Sequence, residues 1–234
     1  MRLSFLILIF ISTAFCSYAL ADGAITGTVR FDGKAPRVKI IRMDADPICL
    51  VKQKDAVYVQ TFVLGEGNTL GNVFVYVKNG LRNRADYALP LPAILDQKGC
   101  TYAPHVMGVM VGQKVKFLNP DGTLHNVHAQ SKINPEFNVA MPNFRTEMEK
   151  VFNKPEMMFP IRCDVHPWMS AWMAVMPHPF FTVTKQDGQF ELKNLPVGTY
   201  EIEAWHEKLG TQSVSVAVKE GSSEKINFTF SSPK

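Results

Sequence analysis

Phe159-Pro160-Ile161-Arg162-Cys163-Asp164-Val165-His166-Pro167-Trp168-Met169-Ser170-Ala171-Trp172-Met173-Ala174-Val175 reads as a short apolar run, an interval broken by Asp and Pro, and a second apolar run. Short apolar runs bounded by turn residues are strands rather than helices. The same texture extends outward in both directions. Upstream it predicts strands over Ala24–Phe31, Val57–Val63, Asn72–Lys78, Val109–Leu118, His125–Ala129 and Met148–Phe152, followed by Phe159–Cys163 and Ala171–Val175 from the opening stretch. Downstream it predicts Phe180–Thr184, Gln189–Leu192, Tyr200–Trp205, Gln212–Val218 and Lys225–Phe230. The best helical window, Phe144–Phe152, is short and also alternates like a strand. So many short strands without a long helix predict an all-β chain of sandwiches or Greek-key barrels.

Composition narrows the function. The 234 residues are 46% hydrophobic and 20% charged, with 15 Gly and 15 Pro, which excludes fibrous and low-complexity classes. The net charge of +4 comes with no basic block and no nucleic-acid motif, so nucleic acid is not an expected partner. There is no Gly-x-Ser-x-Gly, no phosphate-binding Gly-x-x-x-x-Gly-Lys and no His-Glu-x-x-His, so catalysis by side chains alone is not expected.

Residues 1–21 have a charged start at Arg2, an apolar run from Leu3 to Phe15, and Ala19-Leu20-Ala21 before Asp22. This is the pattern of a cleaved export signal, and it predicts a periplasmic or secreted chain starting at Asp22. No later stretch is long enough for a membrane span.

The two ends of the chain share a texture that the middle lacks. Ile25-Thr26-Gly27-Thr28-Val29, Asp187-Gly188-Gln189-Phe190-Glu191-Leu192 and Leu195-Pro196-Val197-Gly198-Thr199-Tyr200 resemble carboxypeptidase-regulatory-like domains, which are small transthyretin-like sandwiches. The resemblance implies one split sandwich, with its first strands in residues 22–85 and the rest in 178–234, interrupted by a second domain over 86–177.

That middle part carries the chemistry. Cys163, His166 and Met169 are spaced Cys-x-x-His-x-x-Met, offering a thiolate, an imidazole and a thioether from one tight loop. Soft sulfur combined with imidazole selects copper over Mg, Ca or Mn. A second imidazole stands in Leu124-His125-Asn126-Val127-His128. Together with Val111-Gly112-Gln113-Lys114-Val115-Lys116-Phe117-Leu118-Asn119-Pro120-Asp121, these residues resemble the cupredoxins, plastocyanin and amicyanin among them. The resemblance implies His125, Cys163, His166 and Met169 as ligands of a type 1 copper that cycles between Cu(I) and Cu(II). It also implies Asn126 steadying the ligand loop and the cysteine sulfur from behind, and a cytochrome or oxidoreductase as redox partner. Trp168, inside the loop, is placed to shield the metal or form a contact patch, whereas Trp172 reads as core. The chain departs from the family pattern at His128, a neighbouring imidazole, at Met173, a rival thioether, and at the acidic Asp164. If Leu124–Ala129 is a strand, alternation sends His125 and His128 to opposite faces.

Removal of residues 1–21 leaves three cysteines, an odd number. With Cys163 committed to metal, Cys49 and Cys100 remain to pair, which an oxidising compartment allows. His105 and His178 lie beside prolines and are read as surface or hydrogen-bonding residues; His206 is unassigned. Two other functions fit the same residues: a copper chaperone or storage protein, favoured by His128 and Met173, and a carbohydrate-binding or adhesive β-module.

Overall fold

The computed structural model describes residues 22–53, 55–82 and 87–232; the expected export segment lies outside them. The chain is all-β, with seventeen strands and two very short helical segments among the described residues. In order these are β1 (Gly23–Asp32), the helix α1 (Pro47–Lys52), β2 (Val63–Leu64), a 3-10 turn (Glu66–Asn68), β3 (Leu70–Gly71), β4 (Phe74–Asn79), β5 (Ala93–Asp96) and β6 (Val106–Met110). Then come β7 (Lys114–Leu118), β8 (His125–Ala129), β9 (Phe137–Met141), β10 (Glu147–Val151), β11 (Glu156–Arg162) and β12 (Ser170–Met176). The chain closes with β13 (Phe181–Val183), β14 (Gln189–Leu195), β15 (Gly198–His206), β16 (Gly210–Val218) and β17 (Ser223–Ser231). No helix among the described residues is long and apolar enough to cross a membrane.

Four main sheets enclose two cores. Sheets β14-β1-β17 and β13-β4-β15-β16 bury Ile25, Val29, Val75, Val77, Phe190, Ile202 and Phe230 between them. Here β1 lies antiparallel to β14 and parallel to β17, so the first strand sits between two of the last. Sheets β6-β12-β11-β8-β9 and β10-β7-β5 enclose the other core, with Leu95, Val115 and Phe117 facing Val127, Ala129, Ile161, Ala171 and Met173. Burying Phe117 or Ile161 out of water contributes about 1.5–3 kcal/mol each. Residues before β2 serve both cores, because Met43 and Cys49 join the second cluster while β1 belongs to the first.

A third cluster, with Phe74, Tyr76, Val106, Ala174 and Met176, forms the seam between β4 and the β6–β12 pair. It depends on Gly108, where an added Cβ would lie 2.6 Å from Phe74 and 2.7 Å from Phe181.

Two expectations change. Val109–Leu118 is two strands rather than one, because Val111-Gly112-Gln113 turns, with Gly112 at φ +82°. Val57–Val63 is largely irregular, with one bridge from Tyr58 to Ile40 and only Val63 reaching a strand. The expected strand Met148–Phe152 is present as β10, inside the window that also read as helical. β3, β5, β9 and α1 had no counterpart in the sequence reading.

Candidate metal centre

β11 ends at Arg162 and delivers Cys163 into the loop that returns as β12. The ladder pairs Ile161 with Ala171 and Arg162 with Ser170, so the intervening residues must turn tightly. Two backbone bonds close the turn, from the Met169 N–H to the His166 carbonyl (2.9 Å) and from the Cys163 N–H to the Met169 carbonyl (3.3 Å). The His166 N–H points at Cys163 Sγ, 3.4 Å away. β8 pairs with β11 through Ile161↔Ala129 and Arg162↔His128, and that register brings His125, at the head of β8, beside the loop.

The result is a buried convergence of donors. The Nδ1 atoms of His125 and His166 are 2.9 Å apart, and His166 Nδ1 is 3.8 Å from Cys163 Sγ. One ligand atom from each of His125, Cys163 and His166 lies within 4.8 Å of the others. None of these three residues, nor Met169, is more than 2% exposed. Cys163 is the one free cysteine among the described residues, and Met169 packs in the same apolar cluster. Met173 is in that cluster too, but on β12 opposite Phe159.

Asn126 ties the loop down. Its Oδ1 accepts from the N–H groups of Asp164 (2.6 Å) and Val165 (3.3 Å), and its Nδ2 donates to Asn138 Oδ1 (2.6 Å). Trp168 donates its indole N–H to the Cys100 carbonyl (3.0 Å), and its ring centre is 5.0 Å from that of His166. Trp168 and Met169 also line a cavity of about 550 Å³ whose wall includes Ile40, Tyr58 and Pro104. His128 takes no part in the convergence. It is only half-buried and is held by Glu136 (2.8 Å) and Asp164 (3.2 Å).

Cys49 and Cys100 form a disulfide, with Cα atoms 5.6 Å apart. It lies against the centre, with Cys49 Sγ 3.6 Å from His166 Nε2. Beside it stand two carboxylates that the sequence reading did not assign: Asp46 Oδ2 is 2.9 Å from His166 Nε2, and Asp121 Oδ2 is 3.0 Å from His125 Nε2. The remaining histidines are buried rather than on the surface. His178 donates from Nε2 to the Val77 carbonyl (2.9 Å), and His105 contacts the Ser170 carbonyl and Glu207. His206 has no partner for its Nε2, and burial pushes its pKa down to about 4.

Electrostatics favour charge separation inside the site. Burial opposes a charged His125, yet the Asp121 carboxylate and Cys163 outweigh it and raise its pKa to about 8. Burial also opposes a Cys163 thiolate, but His125 and the N–H groups around the sulfur bring its pKa below the ordinary thiol value. The residues therefore present a soft anionic sulfur and two imidazoles out of water, with the Met169 thioether buried in the same apolar cluster. That donor set fits copper.

No family model matches the chain, and no curated protein does. Among solved structures it is similar to a copper-containing nitrite reductase from Thermus scotoductus SA-01, at 21% identity and a TM-score of 0.34 over 43% of this chain. That match spans 26% of the nitrite reductase, so the chain corresponds to about a quarter of that protein's length. It is also similar to an oxidised proline-to-glycine mutant of amicyanin, at 19% identity and a TM-score of 0.32 over 36% of this chain and 82% of that one. A purple cupredoxin from Nitrosopumilus maritimus matches at 21% identity and a TM-score of 0.30, over 36% of this chain and 99% of the cupredoxin. The solved structures that this chain resembles thus include cupredoxins.

Proposed function

We propose that this chain is an exported one-electron carrier in which His125, Cys163, His166 and Met169 hold a single copper ion. The observation that carries the reading is the convergence of two imidazole Nδ1 atoms on a free, buried thiol. Copper bound there would alternate between Cu(I) and Cu(II), taking up or releasing one electron. The protein's part is to keep the donors fixed and dry. Asn126 pins the loop through two of its N–H groups, the Cys163–Met169 turn is closed by its own backbone, and the apolar cluster excludes water. Rigid donors suit electron transfer because little must rearrange when the charge changes. The same reading takes residues 22–85 and 178–234 as a split sandwich carrying the 86–177 copper domain, and a cytochrome or oxidoreductase as the electron partner.

The test is a copper titration followed by an absorbance scan. A Cu(II) thiolate gives an intense visible band, which His125→Ala removes and His128→Ala leaves nearly intact. Binding of Cu(I) alone, with no band on oxidation, would replace the electron carrier by a copper chaperone or store. No binding of either ion would overturn the metal reading.

A further inference from the structure

We propose that Asp46 and Asp121 are positioning residues that turn the Nδ1 atoms of His166 and His125 inward, and that the Cys49–Cys100 disulfide locks the two carboxylates into one outer frame. The inference rests on the copper reading above for the role of Nδ1, and on geometry for the rest.

Each imidazole has one nitrogen facing the other ring and one facing a carboxylate. His125 Nδ1 and His166 Nδ1 meet at 2.9 Å, while their Nε2 atoms lie 3.0 Å from Asp121 and 2.9 Å from Asp46. A carboxylate at Nε2 accepts a hydrogen bond, which places the ring proton there and leaves the lone pair on Nδ1. Both rings are thus oriented by the same device, each through a carboxylate beside the disulfide.

The carboxylates are themselves fixed by the cystine. Asp121 accepts the Cys100 N–H (2.7 Å) and the Gly99 N–H (2.9 Å), and Lys52 lies 3.6 Å away. Asp46 caps α1, accepting the N–H groups of Ile48 (2.8 Å) and Cys49 (3.3 Å) with Oδ1, which leaves Oδ2 for His166. One half-cystine therefore holds each aspartate, and the S–S bond joins the halves. The two sides differ in their dependence on that bond. Asp121 is four residues from His125 and its side chain is 2% exposed. Asp46 is 120 residues from His166, its side chain is 21% exposed, and it sits on a segment outside the main sheets. The disulfide matters more for Asp46.

The test uses the full chain loaded with Cu(I), which is diamagnetic, with ¹⁵N-labelled histidine. Two quantities are read: exchange protection of each ring Nε2–H by NMR, and Cu(I) affinity by competition with a colorimetric chelator. Asp46→Asn retains a good helix cap, so it separates capping from ring positioning. It should strip protection from His166 Nε2–H alone and weaken Cu(I) binding by roughly 10-fold, the low end for loss of a hydrogen-bond partner behind a ligand. Asp121→Asn should do the same at His125. Cys49→Ser with Cys100→Ser should reproduce the His166 effect and largely spare His125. Unchanged protection and affinity in Asp46→Asn, with copper bound normally by the parent, would overturn this inference alone. Failure of the parent to bind copper would overturn the copper reading as well.

Discussion

Asn126→Ala removes the side chain that staples the Cys163–Met169 loop to β8. It deletes the acceptor for the Asp164 and Val165 N–H groups and the donor to Asn138, together with a longer contact to Asp164 at 3.4 Å. A typical hydrogen bond contributes about 0.5–1.5 kcal/mol net. The two bonds at 2.6 Å are counted at about 1 kcal/mol each and the two longer ones at about 0.5, because water reaches the exposed Asp164 and Val165; the expected loss is about 3 kcal/mol. For a chain of this size that corresponds to a fall in Tm of roughly 6–12 °C. The assay is urea unfolding of the metal-free, disulfide-intact protein followed by tryptophan fluorescence, which avoids any contribution from metal binding. The copper-loaded variant should also show a shifted thiolate band, since the N–H groups beside the sulfur are no longer held. A loss under about 0.5 kcal/mol with an unchanged band would refute the argument that Asn126 fixes the loop.

Replacing Met169 with Leu should shift the reduction potential of the copper-loaded protein, whereas Met173→Leu should leave it in place and cost under about 1.5 kcal/mol of stability. Voltammetry on both variants decides between them, and the reverse pattern would exchange their roles. Burial opposes the Glu156 carboxylate, but donors from Ser131, Lys132, Ile133 and Asn134 bring its pKa from the ordinary 4.5 to about 2. Its contribution, roughly 3 kcal/mol, is therefore full above pH 4.5 and disappears as the pH falls through 2. Urea unfolding of Glu156→Gln against the parent should show a gap at pH 7 that narrows below pH 4.5, and a gap independent of pH would sink the assignment. Gly108→Ala should cost about 1–3 kcal/mol in the same assay, because its Cβ would meet Phe74 and Phe181 across the seam.

The all-β character was legible because strand signals are local, and Cys163, His166 and Met169 were legible because one loop contains them. The separation of His125 from His128 followed from alternation along β8. Asp46 escaped because an aspartate before proline reads as a turn or helix cap, which it also is; its second contact reaches a residue 120 positions away. Asp121 escaped for a similar reason, in Asn119-Pro120-Asp121-Gly122, where turn formation is explanation enough. β9 is apolar at four of its five positions but is short and flanked by Asn134-Pro135 and Pro142-Asn143, so turn residues masked it, and Val109–Leu118 was read as one strand through Gly112, which is a corner between two.

The position of β1 also sets an order of assembly. Its partners are about 165 and 200 residues away, with Thr28 opposite Gln189 and Ala24 opposite Ser223. As the chain is synthesised, the first strand emerges early and must wait for β14 on one edge and, later still, for β17 on the other. The core around Cys163 needs nothing beyond β12, so it can close first and hold the early segment through the Cys49–Cys100 link. Pairings this distant in sequence form slowly, and an open strand edge invites pairing with another molecule in the meantime. The outer sandwich is thus the late, aggregation-exposed stage of folding, and loss of β17 would open one whole edge of β1 rather than simply shorten the chain.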